Sequence, residues 1–437
     1  MGNYVGFGGT TWNSKYPLLM GISSLFSLLS YKLLRGVYYT YPDNPNKHFR
    51  FNTKPFFIAW VMSLSESSVF IFYLIQRYRS DVISRDSARN QIYVDKLALE
   101  KTEMLPGKNK LKLVMKIIPI CLIDCSSIII LSILREGDYS FFELDYRVLL
   151  IMITSIYSIF ILHFKYYLHH FLSYALLLFG IIGYSIVEFI QIDLSKQSKG
   201  RIILFFCLMI LLQLMNGFRE CYEKYLMETH YVSPHMIVSL EGFAGFVIIS
   251  LSFIPLSMIE CPEVEDGEQL LHCNRYNNGL HVVENIVETI RFVGRNWNIF
   301  LGPLALLYFS FMFFNLFRIL TNQHCSPIHR GFADIMGYFL YYLIGFVFYS
   351  IGDSVLTSEM HNYPYFILGF IFYFFILVGT FIFLEVIIIK WFDLDKNTLN
   401  NIQAREFSEV LNIYDEIKNN KDFDFPSSLL DINGVVD

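Results

Sequence analysis

The segment QLMNGFRECYEKYLMETHYVSPHMIVSLEGFAGF, residues 213–246, closes one apolar stretch of the chain, crosses a short charged turn and opens the next apolar stretch. Charged side chains lie within or beside the apolar residues on both sides of the turn: Arg219, Glu220, Glu223, Lys224 and Glu241. Charges at bilayer depth are costly, so each of these side chains is a candidate for function by default. The segment therefore predicts two membrane spans, joined by a turn, with functional candidates at their junction.

Composition places the whole chain in the same class. Of its 437 residues, 54% are hydrophobic and 17% are charged, whereas a soluble domain is usually about 25% charged. Apolar runs of about 20 residues, the length that crosses a bilayer as a helix, recur along the sequence. The net charge of -5 and the lack of a basic cluster argue against nucleic acid as a partner. The sequence predicts an all-α, polytopic membrane protein with lipid around it.

Ten spans can be drawn along the chain. They lie near 16–40, 54–76, 111–134, 144–164, 167–190, 202–226, 235–258, 298–321, 328–352 and 363–391. The first run is too long for a signal-peptide core and is interpreted as a retained span. Lys and Arg are concentrated in the link 77–110 and in the other connections of one side, which predicts both termini on the cytosolic or matrix side. The choice between an endomembrane and the mitochondrial inner membrane stays open.

The even number of spans suggests an internal repeat. We expect a first five-helix half in residues 1–200, a second half in 201–391 and a polar tail in 392–437. Because five is odd, the second half would be inverted relative to the first, which places a binding site near the bilayer midplane between the halves.

Cysteine and cofactor motifs add one conditional prediction. Cys261 and Cys273 flank the polar loop 259–296 and would form a disulfide if that loop faces an oxidising compartment. No CxxC or HExxH spacing occurs, so no metal and no other cofactor is expected. No GxxxxGK[ST] loop occurs, so ATP hydrolysis is not expected either.

Three junctions resemble a known family. CYEKYLMETHYVSPHMIVSLEGFAGF (221–246) holds a Glu-Lys pair, a Pro after a short turn and a Glu-Gly: Glu223-Lys224, Pro234 and Glu241-Gly242. FNTKPFFIAWVMSLSESSVF (51–70) has a Pro-Phe start followed by Glu66, and FFNLFRILTNQHCSPIHRGFAD (313–334) offers Asn315, Thr321, Ser326, Arg330 and Asp334. In this order they resemble the drug/metabolite transporter superfamily, in its solute carrier 35 branch with nucleotide-sugar-transporter-like and chloroquine-resistance-transporter-like members.

The resemblance implies ten helices as two inverted five-helix repeats and transport by alternating access. This sequence also departs from the family pattern at several positions. Where the family tends to carry an Arg-Gly in the fourth span, this sequence has Thr154 and Ser155, and where an Arg follows the Asp of the ninth span it has Gly337. Asp124 stands five residues after Pro119 instead of four. Without these two arginines, recognition of an ordinary anionic substrate is not expected.

Candidate site residues fall into two groups, each with a structural alternative as ion pairs or helix-to-helix hydrogen bonds. The expected substrate pathway is Glu66, Asp124, Asn216, Asn315 and Asp334, and the expected gating or ion-pair residues are Arg219, Glu220, Glu223, Lys224, Glu241 and Arg330. Helical spacing of four predicts the pairs Asn216–Glu220, Arg219–Glu223 and Arg330–Asp334. Asn315 with Arg318 completes a matching set in the second half, and Glu241 is expected to pair with Lys224 or Arg219.

The hypothesis favoured by these observations is a secondary transporter of a small organic solute. The alternative is a member of the same fold that no longer transports and serves as an accessory subunit of a large membrane complex, such as a mitochondrial respiratory assembly. A cavity plugged by bulky side chains would favour this alternative. A homodimer or a larger complex is the partner expectation, and no catalytic set that would indicate an enzyme stands out in the spans.

Overall fold

A computed structural model describes residues 15–36, 38–41, 44–50, 54–86, 107–136, 143–164, 166–191, 199–230, 232–259, 274–275, 281–351, 363–385, 387–389, 398 and 401. Every structural statement below refers to these residues. The predicted Cys261–Cys273 disulfide lies outside them, as do most of the basic link 77–110 and nearly all of the tail 392–437.

The described chain is mostly helical, as predicted. The helices are α1 (Lys15–Gly36), α2 (Pro55–Ser67), α3 (Phe70–Asp86), α4 (Gly107–Glu136), α5 (Glu143–Leu162), α6 (Leu168–Gln191), α7 (Lys199–His230), α8 (Pro234–Met258), α9 (Ile286–Arg295), α10 (Trp297–His324), α11 (Pro327–Ile351) and α12 (Tyr363–Phe383). Two short antiparallel hairpins, which the sequence did not predict, join strands β1 (Tyr38–Tyr41) to β2 (Asn44–Arg50) and β3 (Asn274–Arg275) to β4 (His281–Val282).

Several helices have the length and composition of membrane spans. Among the described residues, five stretches qualify: Pro55–Tyr78, Leu168–Val187, Ile203–His230, Pro234–Met258 and Trp297–His324. Shorter apolar helices cover Tyr16–Ser30, Val148–Leu162 and Ile367–Phe383. Large apolar side chains on the outer surface are strongly exposed, such as Phe160 at 72% and Met258 at 73%, which is costly in water and favourable in lipid. The chain is an integral, multi-pass membrane protein.

The predicted second span is built from two helices. α2 ends at Ser67 and α3 begins at Phe70, so the break follows directly after Glu66. The hydroxyls of Ser67 and Ser68 both donate to the carbonyl oxygen of Leu64, at 2.7 and 2.9 Å. Serine hydroxyls that bond back to the preceding turn compete with the backbone ladder and bend helices. Ser67 and Ser68 thus account for the end of α2 beside a buried carboxylate.

A side chain from the polar loop holds the start of α2. The backbone N–H groups of Phe56 and Phe57 donate to the carboxyl oxygens of Glu284, at 3.1 and 2.8 Å. Pro55 occupies the first helical turn, where its missing N–H has no cost. The first N–H groups of a helix have no partner within the helix, so a buried helix start needs an acceptor from elsewhere. Glu284, which the sequence analysis did not single out, supplies it from more than two hundred residues away.

The helices pack in a defined set of pairs around four apolar clusters among the described residues, two of which show the arrangement. α2, α4, α8 and α10 share one cluster that includes Phe57, Met62, Ile249 and Phe300. α1, α5, α6, α11 and α12 share a second one that includes Val148, Leu177, Phe332 and Tyr373. Small residues bring some of these helices very close: a Cβ added to Gly242 of α8 would lie 2.8 Å from the Cβ of Glu66 on α2. The space between the two clusters is lined by polar side chains.

Candidate functional site

A central cavity of about 100 Å³ lies between α1, α2, α4, α5, α7, α10 and α11. All five residues of the predicted pathway line it: Glu66, Asp124, Asn216, Asn315 and Asp334. These side chains come from five different helices. Four of them are at most 5% exposed, and Asn216 is partly buried. Their role in transport stays a prediction, but the structure brings the set together around one space.

Arg318 of α10 is the hub of an ion network beside the central cavity. Its guanidinium lies 3.4 Å from Glu66, 3.5 Å from Glu223 and 3.1 Å from Glu241. These three carboxylates belong to α2, α7 and α8, so one cation joins four helices. Buried charges require such partners, because an unpaired charge at this depth costs several kcal/mol. Arg318 was expected beside Asn315 and is not among the site residues predicted from the sequence.

Arg219 and Arg330 extend these contacts. We call the three arginines, Arg219, Arg318 and Arg330, together with their carboxylate partners the ion network. Arg219 of α7 forms an ion pair with Asp124 of α4 and lies 3.5 Å from Glu223, so the predicted Arg219–Glu223 pair is confirmed. Arg330 of α11 lies 3.1 Å from Glu220 and 3.3 Å from Glu223. The ion network therefore ties α7 to α4, α10 and α11.

Other predicted pairings differ in the structure. Glu241 pairs with Arg318, so the expectation of Lys224 or Arg219 as its partner is wrong. Lys224 instead donates to the carbonyl oxygens of Gln323 and Cys325, at 2.8 and 3.3 Å, and pairs with Glu228. A lysine that holds the carbonyl groups at the end of α10 is placed to stabilise the turn into α11.

The contacts also differ from prediction for the other two pairs expected from helical spacing, Asn216–Glu220 and Arg330–Asp334. No hydrogen bond joins the Asn216 amide to Glu220 among the described residues, and the Glu220 carboxylate contacts Arg330 and Thr154 instead, so the expected Asn216–Glu220 bond is not formed. Asp334 accepts a hydrogen bond of 2.6 Å from the hydroxyl of Ser24 on α1. Spacing along one helix shows which side chains share a face, but the helix packed opposite decides which of them bond.

Several polar atoms around the central cavity have no hydrogen-bond partner within the described part of the chain. They are Glu66 Oε2, Asp124 Oδ2, Ser127 Oγ, both amide atoms of Gln213, Asn216 Oδ1 and Asn315 Nδ2. Leaving a buried polar group unpaired costs about 1–3 kcal/mol, and native proteins hold few of them. Donors and acceptors in one polar space are typical of a site that receives a ligand.

The two positions where the resemblance expects arginines carry small side chains. Thr154 of α5 faces Glu220, with 3.5 Å between the hydroxyl and a carboxylate oxygen. Gly337 of α11 lies where α11 crosses α1, and a Cβ there would be 2.6 Å from the Cβ of Ser24. That spacing leaves no room for an arginine without separating the two helices. The arginines of the ion network therefore come from other positions.

Two clusters have ligand atoms close enough to suggest a metal, but their chemistry does not favour one. One oxygen each of Glu66, Asp124 and Glu241 lie within 4.8 Å of one another, yet the Arg318 guanidinium already contacts this group. His169, His170 and Glu385 form the second cluster. The Nδ1 atom of His170 accepts a hydrogen bond from the backbone of Tyr167, which places the ring proton on Nε2 and leaves no free nitrogen for a metal.

Comparison with known proteins finds a distant similarity to solute carriers. No family model matches the chain. The chain is 23% identical over 186 residues to solute carrier family 35 member F6 of Rattus norvegicus and, to the same extent, of Mus musculus. The matched part is 43% of this chain, and it spans about half the length of these relatives, 47%. The chain is thus a multi-pass membrane protein similar to solute carriers of family 35.

Proposed function

We propose that this protein is a secondary transporter that moves a small organic solute by alternating access. The observation that carries the proposal is the central cavity, which is polar, buried among membrane-spanning helices and lined from both predicted halves. α1, α2, α4 and α5 contribute from the first half, and α7, α10 and α11 from the second. Binding at the interface of two halves lets their relative motion expose the same site to either side. The similarity to solute carriers supports the same function.

The packing of the helices supports an inverted repeat. If the two halves are equivalent, each helix of the first half corresponds to the helix five spans later: α1 to α7, α2 to α8, α4 to α10, α5 to α11 and α6 to α12. A repeat predicts that a contact between two helices recurs between their counterparts. The counterpart of the pair α1·α10 is α7·α4, that of α1·α11 is α7·α5 and that of α4·α8 is α10·α2. All six pairs are in contact. α2·α8, α5·α11 and α6·α12 pack against their own counterparts, as elements beside a twofold axis do. We therefore assign residues 1–200 and 201–391 to the two repeats.

The accessory-subunit alternative finds no support. A transport-inactive chain was expected to have a cavity filled by bulky side chains, whereas this cavity stays open between 13 polar or charged residues and nine apolar or glycine residues, Phe311 and Phe314 among them. An enzyme is not favoured either, because the similarity is to solute carriers. Transport accounts for both the cavity and its unpaired polar atoms.

Two neighbouring serines of α4 give a matched test. Ser127 lines the central cavity and is buried, whereas Ser126 is exposed on the outer surface. The protein is reconstituted into liposomes, incubated with a mixture of small cellular metabolites, and the internal solutes are quantified by mass spectrometry. We expect one or more solutes to accumulate with the wild type and with Ser126→Phe, and not with Ser127→Phe, whose ring fills the cavity. Equal accumulation with Ser127→Phe, or no difference between wild type and empty liposomes, would contradict the proposal.

A further inference from the structure

The short helix α9 exposes apolar and basic side chains side by side. Val287, Ile290 and Gly294 recur at intervals of three and four residues, so they share one face of the helix, and Val287 and Ile290 are about half exposed. Arg291 and Arg295 are four residues apart, lie along the border of this face and are exposed as well. An apolar face bordered by basic residues is typical of a helix that lies on a membrane surface.

The opposite face of α9 is already occupied by the protein. Ile286, Phe292 and Val293 pack against the apolar cluster that α2, α4, α8 and α10 share. The ring of Phe292 lies 5.8 Å from that of Phe300 on α10, and Thr289 on the same side is fully buried. This packing prevents α9 from turning its exposed apolar residues inwards, so they meet whatever surrounds the protein.

The ends of three membrane-spanning stretches adjoin α9. Glu284, two residues before α9, accepts the first N–H groups of the stretch Pro55–Tyr78. Its own N–H donates to the carbonyl oxygen of Leu256, near the end of Pro234–Met258, at 3.5 Å. The stretch Trp297–His324 begins directly after the residue that ends α9. These neighbours place α9 at the depth where the apolar spans end, which is the headgroup region of a bilayer.

The two arginines expose positive charge at this depth. Arg291 pairs with Glu288 at 2.8 Å, and its guanidinium has five N–H donors, more than this contact uses. Arg295 forms no ion pair within the described part of the chain. Guanidiniums bind phosphate through two parallel hydrogen bonds. Trp297, which is 62% exposed at the start of α10, belongs to the residue type enriched at the level of the headgroups.

We propose that α9 lies along the membrane surface and binds anionic phospholipids, whose phosphate groups pair with Arg291 and Arg295. The side chains of Val287 and Ile290 insert among the upper parts of the acyl chains. This binding is independent of the transport function proposed above, because α9 contributes no residue to the central cavity.

Two observations select this partner. Lipid is favoured over a second protein because the next strongly exposed apolar residues along the chain, Trp297 and Leu301, begin the lipid-facing surface of α10. Anionic lipids are favoured over zwitterionic ones because the described exposed charges of α9 are two guanidiniums and one carboxylate, that of Glu288. A basic residue beside an anionic membrane surface strengthens binding by electrostatic attraction.

Lipid at α9 should stabilise the folded chain. The segment that leads into α9 carries Glu284, which holds the start of α2, and α2 places Glu66 at the central cavity. Unfolding separates the arginines from the apolar face of α9, so the lipid binds the folded state in preference. A ligand of this kind raises the midpoint of thermal unfolding as its concentration rises.

Phosphatidylglycerol is the probe that tests the proposal. The purified full chain in detergent is titrated with phosphatidylglycerol and, in parallel, with phosphatidylcholine, and the midpoint of thermal unfolding is measured at each mole fraction. We expect a saturable rise with phosphatidylglycerol and a smaller rise with phosphatidylcholine. Inorganic phosphate at the same concentration should not raise the midpoint, because it offers no acyl chains to the apolar face.

The variants remove the charges without disturbing packed residues. With Arg291→Gln and Arg295→Gln combined, the mole fraction of phosphatidylglycerol that gives half of the rise should increase by about tenfold or more. Replacing both arginines by lysine keeps the charge and should retain most of the response. Lys116→Gln removes an exposed cation on α4 and should leave the response unchanged. Without added lipid, all these variants should unfold at the temperature of the wild type.

Phosphatidylglycerol with brominated acyl chains reports the contact directly, because bromine quenches tryptophan fluorescence at short range. The difference between the wild type and Trp297→Phe gives the share of the quenching that belongs to Trp297. This share should be larger with bromine near the headgroup end of the chain than with bromine near the terminal methyl group. In the combined glutamine variant it should begin at a higher mole fraction of lipid.

Each other outcome overturns the inference. An equal response to both lipids would reject the preference for anionic headgroups, and a response to inorganic phosphate would assign a site for a free anion. A full response of the combined glutamine variant, or an equal loss with Lys116→Gln, would place the lipid elsewhere. The absence of any saturable rise would leave the exposed face of α9 to a protein partner.

Discussion

The guanidinium of Arg318 lies 3.1 Å from the carboxylate of Glu241 and also reaches Glu66 on α2 and Glu223 on α7. The four residues are separated by up to 252 positions along the chain. A single side chain of α10 thus holds three other helices at the edge of the central cavity. The geometry of the cavity depends on this contact, because α2 and α7 line the cavity and α8 packs directly against α2.

Removing Arg318 should strongly destabilise the fold. Arg318→Met leaves Glu66 and Glu241 buried without their cation, and breaking a buried ion pair from one side costs about 3–5 kcal/mol. The measurement is the unfolding of the purified variant in detergent against the wild type. Arg291→Met is the control, since Arg291 is 63% exposed and its ion pair among the described residues is with Glu288, and exposed pairs contribute about 0–1 kcal/mol. Similar losses in the two variants would show that Arg318 is not the hub.

Gly242 should tolerate no side chain. A Cβ at this position would approach the Cβ of Glu66 to 2.8 Å, and the nearby backbone of α2 leaves no space for it to move. Gly242→Val should therefore lower the free energy of unfolding by about 1–3 kcal/mol, the usual cost of overpacking. Gly302→Val is the matched change, because a Cβ on Gly302 of α10 meets nothing within 4 Å. Thermal melting in detergent distinguishes them, and an unaffected Gly242→Val would refute the close crossing of α2 and α8.

Glu284 should make stability depend on pH. Burial raises the pKa of its carboxyl from 4.5 to about 7, although Lys54 and the N–H groups of Phe57 and Phe56 act in the opposite direction. Because the folded pKa is raised, the folded state keeps a proton that the unfolded chain has lost between these values. The stabilising contribution is complete below pH 4.5 and is lost as the pH rises through about 7. A shift of this size corresponds to on the order of 3 kcal/mol.

Glu284→Gln isolates this effect, because glutamine has the same shape and does not titrate. The free energy of unfolding of the wild type minus that of the variant should fall as the pH is raised from 4.5 to 8. The midpoint of unfolding by heat, measured in detergent at intervals of half a pH unit, gives the comparison. Groups elsewhere titrate equally in both proteins and cancel. A difference that does not change with pH would exclude Glu284 as the titrating group.

Lys224 should be a structural residue. Lys224→Met removes the donor to the carbonyl oxygens of Gln323 and Cys325 and should cost about 1–3 kcal/mol, as hydrogen bonds from charged groups do. Accumulation of solute in the liposome experiment should stay within about twofold of the wild type. Lys116→Met, which removes an exposed contact to His230, should change neither quantity. A large loss of accumulation with unchanged stability would instead favour the predicted gating role.

Sequence alone determined the helical, membrane-spanning character of the chain and the residues that would form its polar interior. Long apolar runs leave a helix as the structure that satisfies every backbone group in lipid. An isolated carboxylate or amide inside such a run is too costly to face lipid, so Glu66, Asp124, Asn216, Asn315 and Asp334 were expected on one interior surface. The structure places all five around one cavity.

Tertiary structure decided which charges meet. Helical spacing identified the Arg219–Glu223 pair, which is local, but could not show that Glu241 meets Arg318, that Glu284 holds the start of α2, or that Gln213 faces the cavity. Such contacts join residues many tens to hundreds of positions apart, and they depend on how close two helices approach and on how each is rotated. Small residues such as Gly242 set those distances through packing, which is why the partners of buried charges follow from the assembled helices and not from their order in the chain.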